Sequence, residues 1–97
     1  MLKIFSVRDV KGEAYGALMC VATVGLAMRA FTDACNAPGS PLADYPADYS
    51  LYELGTFDPN SGTVAGHKVP SFIASAVEVR PSVVNPVVTS KPVEVLS

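Results

Sequence analysis

Residues 49–69 read YSLYELGTFDPNSGTVAGHKV, two β-prone runs on either side of DPNSG. In that turn Pro59 suits the first corner and Gly62 a residue with positive φ, so the chain should reverse into an antiparallel hairpin. The first run carries Tyr49, Leu51 and Phe57 on one face and Tyr52 and Leu54 on the other. A strand with apolar or aromatic residues on both faces belongs inside a sheet. The returning run, TVAGHKV, should be closed by Pro70, and FIASAVEV, residues 72–79, reads as a possible fourth strand.

Upstream, LKIFSVRDV at residues 2–10 supplies the first strand, with Ile4 on one face and Phe5 and Val7 on the other. KGEAYGALMCVA, residues 11–22, is ambiguous, because its glycines weaken a helix and its Ala and Leu weaken a strand. It reads as a loop followed by a short extended or helical piece. TVGLAMRAFTDACN, residues 23–36, is clearer. Thr23 can cap the first turn, and Val24, Ala27, Met28, Phe31 and Cys35 form a stripe that should lie on the sheet. Arg29, Thr32, Asp33 and Asn36 fall on the opposite side, and NAPGSP ends the helix. LADYPADYS is a polar connection to the hairpin.

The expected class is therefore α+β, a small antiparallel sheet of three to four strands packed on one main helix, with an extended C-terminal tail. Residues 1–79 form one domain in this reading. From Arg80 onward Pro81, Pro86 and Pro92 alternate with valines, and such a segment, 80–97, stays extended and out of a sheet interior.

A chain of 97 residues has room for one domain with a modest core, and an apolar content dominated by Ala and Val, with no Trp, makes that core rich in small side chains. The net charge of −2 argues against a protein that coats nucleic acid mainly by neutralising phosphates. Residues 1–30 nevertheless carry a balance of +2, from Lys3, Arg8, Lys11 and Arg29 against Asp9 and Glu13. Any anion-binding face belongs to this N-terminal third. Cys20 and Cys35 form no CxxC and lack clustered histidines, so two buried thiols in a reducing cytoplasm are expected, with neither a metal site nor a disulfide framework. No signal peptide is expected, since the sequence goes directly into the alternating LKIFSVRDV, and the uncharged residues 14–28 are shorter than the ~20 needed to span a bilayer.

Nothing in the sequence supports catalysis, so no enzyme and no cofactor is expected. His67 stands beside Lys68 without a second ligand, and the serines and glycines form neither a nucleophile elbow nor a phosphate-binding fingerprint. Tyr45, Tyr49, Tyr52 and Phe57 can form a platform for stacking exposed bases, with Lys3, Arg8 and Arg29 meeting phosphates. The competing reading makes these aromatics core or half-buried strand residues, since the chain has few other large apolar side chains.

Four blocks together resemble the small nonstructural protein of gokushovirus-type microviruses, single-stranded DNA bacteriophages. The opening strand has the form K-[IV]-F-x-[VI]-x-D at residues 3–9, and R-A-F-x-D lies in the helix at 29–33. P-x-D-Y-x-L-[YF]-E-[LI]-G occupies 46–55, and D-x-x-[ST]-G occupies 58–62. The resemblance spans residues 2–70 and implies a nonstructural protein of the infected bacterium's cytoplasm. It further implies DNA binding, or a role in single-stranded genome synthesis and packaging. On that footing Lys3, Arg8, Lys11 and Arg29 are the expected phosphate contacts and Tyr49 or Tyr52 the stacking residue, with self-association multiplying the few cations. The alternative is a protein-interaction module that recruits a viral replication protein, a capsid or a host factor without binding DNA. A membrane-active role would require residues 14–28 to form one exposed apolar helix.

Overall fold

The computed structural model describes residues 1–79, so the expected tail, 80–97, lies outside the described residues. Five strands form one antiparallel sheet: β1 (Leu2–Asp9), β2 (Ala14–Tyr15), β3 (Met19–Val21), β4 (Tyr49–Asp58) and β5 (Thr63–Ser75). Between β3 and β4 run α1 (Val24–Asn36), the short α2 (Pro41–Asp44) and one 3-10 turn, Pro46–Asp48; α3 (Ala76–Val79) follows β5. The spatial order is β2-β1-β4-β5, and β3 shares with β2 the same edge of β1.

The turn after β4 forms as its residues dictate. Gly62 has φ 75° and donates its N–H to the Asp58 carbonyl at 2.7 Å, while Asp58 Oδ1 accepts from the Asn60 N–H at 2.9 Å. β4 is central, bonded to β1 on one side and β5 on the other, with Leu51 in the core and Tyr52 among aromatic rings on the opposite face.

α1 covers one face of the sheet. Thr23 caps it, its hydroxyl accepting from the Leu26 N–H at 3.2 Å. Ala27, Phe31 and Cys35 are buried with Phe5, Leu51, Ala74 and Ala76, and Val24, Met28, Val7, Met19 and Val21 pack against this cluster. Burying a Phe or Leu side chain contributes about 1.5–3 kcal/mol, so Phe5, Phe31 and Leu51 dominate the core. Arg29, Asp33 and Asn36 are exposed on the outer side of the helix.

The α+β class with one main helix on an antiparallel sheet holds, and three expectations need correction. The strands expected at 63–69 and 72–79 are one strand, β5, which runs through Pro70. Pro70 is tolerated because β5 is the outermost strand of this sheet, where a missing N–H costs no ladder bond. Residues 76–79 form a helical turn, with Ala76 buried in the core. Segment 14–21 takes the extended one of its two readings, and its two short strands bring the sheet to five. Cys20 is exposed and only Cys35 is buried, because Cys20 lies on an edge strand opposite Ile4, away from the helix.

Irregular register decides which side chains share a face. Leu54 is an extra residue of β4 against β1, since Phe5 pairs with Glu53 and Ile4 with Gly55. On β5, Leu51 pairs with Ala74 but Tyr52 with Phe72, so Ile73 is extra, and residues 67–70 form a second excursion opposite Leu54. The bulge at Ile73 turns Phe72 to the face opposite Ala74. Gly55 lies so close to the Ala65 carbonyl that a Cβ there would collide with backbone.

Candidate nucleic-acid interface

Phe5 and Leu51 point to the helix, so strand alternation places Ser6, Arg8 and Tyr52 on the uncovered face. Ser6 pairs with Tyr52 and Tyr52 with Phe72 across three strands. The Tyr52 and Phe72 rings meet edge to face with centroids 5.7 Å apart, and Tyr15 meets Tyr52 the same way at 5.6 Å. The Arg8 guanidinium lies 5.6 Å from the centre of the Tyr15 ring. The result is a continuous row, Arg8, Tyr15, Tyr52 and Phe72, running across the strands.

Each member is held by backbone pairing. Arg8 pairs with Tyr15 in the β1–β2 ladder, and the Ser6 hydroxyl donates to the Gly16 carbonyl at 3.0 Å, which ties the segment after Tyr15 to β1. The Gly16 N–H donates to the Val7 carbonyl at 2.9 Å and completes the attachment. Ser6 is almost fully buried, yet its hydroxyl is satisfied. The row remains accessible, with Tyr15 at 39% and Phe72 at 53% exposure. Such rings offer aromatic area for stacking with little conformational entropy to lose, and Arg8 adds a cation beside it.

The residues singled out from sequence are distributed over several places. Arg8 and Tyr52 are brought together in the row. Lys11 lies in the turn that joins β1 to β2, where its backbone N–H and that of Gly12 donate to Asp9 Oδ1 at 3.0 and 3.1 Å. It follows the end of β1 that carries Arg8. Lys3 alternates onto the helix-side face, where its Nζ is 3.9 Å from Glu53 Oε1. Arg29 is exposed on α1, on the opposite side of the molecule from the row, and forms no ion pair with Asp33 among the described residues. Tyr49 packs against the helix-side core. Its phenol pKa is raised by desolvation and then by Asp9 and Asp48, surroundings that would repel a phosphate.

Sequence reasoning missed Tyr15 and Phe72. Tyr15 lies in the segment read as ambiguous, and Phe72 reaches this face only through the bulge at Ile73. It also missed the partner of His67: Nε2 is 2.7 Å from Glu53 Oε2, so Glu53, only 13% exposed, faces both Lys3 and His67.

Residues 2–79 match the family model described as Phage ORF5 protein. The chain belongs to this bacteriophage protein family. No curated protein matches it, and no solved structure does. Among the described residues of this family member, no helix is long and apolar enough to cross a membrane.

Proposed function

We propose that this phage protein is an accessory factor of the gokushovirus type that binds single-stranded DNA on the uncovered face of its sheet. In this reading it acts in genome synthesis or packaging in the host cytoplasm, without catalysis and without a cofactor. The observation that carries the reading is the row Tyr15, Tyr52 and Phe72 flanked by Arg8. Every base offers a π face, and stacking on an aromatic side chain contributes about 1–3 kcal/mol per base. A duplex hides those faces, so the row favours single strands. Phosphate contacts are limited to Arg8 in the row and Lys11 in the turn after β1, which implies shallow salt dependence.

The reading is tested by fluorescence anisotropy of a labelled oligothymidylate and of a duplex, at two salt concentrations. The expected result is preference for the single strand, weakened by Tyr52→Ala and by Phe72→Ala. Equal affinity for both DNAs would contradict it. A second reading, a module that recruits a viral replication protein, a capsid or a host factor, draws on the outer edge of β5, which pairs with no other strand among the described residues. No binding of either DNA by a folded protein would favour that module.

A further inference from the structure

We infer that the outer edge of β5 pairs antiparallel with the same edge of a second copy of this chain, about a two-fold axis at Ala65. Among the described residues β5 ends the sheet, and residues 61–69 are all exposed. An edge strand of this kind presents unpaired N–H and C=O groups and is usually guarded by proline, lysine or a bulge. Here the guards are confined to one part of the strand. Pro70 and the excursion at 67–70 interrupt the middle of β5, whereas Thr63–Gly66 pairs without a break with Gly55–Asp58 and keeps a regular outer edge.

The side chains select the register and the partner. With the axis at Ala65, Val64 lies opposite Gly66 of the second copy, and the same contact occurs twice by symmetry. Val64 is 65% exposed, and a Cβ at Gly66 would meet nothing within 4 Å, so one copy offers an unpacked valine where the other offers open space. Cross-strand partners share a face, which places this valine and this space together. Beyond this regular stretch, the same register carries the excursion that holds Lys68 toward the second copy's turn, which carries the Asp58 carboxylate. Lys68 has no ion pair among the described residues, and Asp58 is held ionised by its turn hydrogen bonds, so the charges are complementary at both ends of the pairing. Moving the axis to Gly66 would instead take Gly66 away from Val64. The joined edges would make one sheet through both copies and leave the aromatic row uncovered. The inference is independent of whether that row binds DNA.

The test uses the full chain. Sedimentation velocity from low to high micromolar concentration should show a species of twice the 10.1 kDa monomer mass. Val64→Lys should weaken its formation at least tenfold, with an unchanged circular dichroism spectrum, since Val64 is exposed. In a Cys20→Ser background, Ala65→Cys should give a disulfide-linked dimer under mild oxidation, because directly opposed residues of antiparallel strands lie within about 6 Å at Cα. A wild-type chain that stays monomeric across the range, or a dimer that Ala65→Cys does not cross-link, overturns the proposal.

Discussion

Two residues of the hairpin show how far single positions could be read. Gly62 was legible, because a turn of the form D-P-N-S-G demands a positive φ near its end and the residue adopts 75°. Gly55 was not, since its need for a missing side chain arises only when Ala65 is brought against it by the β4–β5 pairing. Gly55→Ala should therefore destabilise the fold by about 1–3 kcal/mol through overpacking against backbone, read as a lowered urea midpoint. Asp58 supplies a second residue-level prediction. Its carboxyl is held below its ordinary value, first by the Asn60 N–H and then by Ser61. Folding thus favours the ionised form, and the stability this confers is present above the unfolded value near 3.8 and lost as pH falls through the lower folded one. Asp58→Asn should flatten the fall in stability below about pH 4, as followed by urea denaturation across that range.

At the scale of elements, α1 was legible because one stripe of Val24, Ala27, Met28, Phe31 and Cys35 repeats at helical spacing and has a single sheet face to cover. Its cap was equally plain, and Thr23→Ala should lower stability by about 1 kcal/mol, measured by thermal or urea unfolding. The strands β2 and β3 were harder to see. They are too short to show a period of two, and they form because β1 offers them an edge, with Ser6 and Val7 bonding to Gly16. β5 was misread for a different reason. Proline ordinarily ends a strand, but an outermost strand with a bulge accommodates Pro70, and nothing local to the sequence says that β5 is outermost. That bulge also turns Phe72 to the uncovered face, so one of the three rings of the aromatic row depended on pairing that no local pattern encodes.

For the whole molecule, the sheet divides the sequence-derived candidates into two groups. Arg8 and Tyr52 lie in the aromatic row, with Lys11 in the turn after β1, while Arg29, Tyr49 and Lys3 belong to the helix side. The charge asymmetry of the sequence located the cations in the N-terminal third but could not divide them between faces, because α1 and β1 are juxtaposed only in the fold. On the proposed function, Arg8→Ala should weaken single-strand binding and reduce its salt slope by about one, whereas Arg29→Ala should leave both unchanged. Anisotropy at several salt concentrations reads both effects. The most direct measurement is a titration of the isotopically labelled full chain with oligothymidylate, followed by amide and aromatic chemical shifts. The account predicts that shifts concentrate at Arg8, Tyr15, Tyr52 and Phe72 and spare the outer face of α1. Shifts centred on Arg29, or none at all with folded protein, would contradict it.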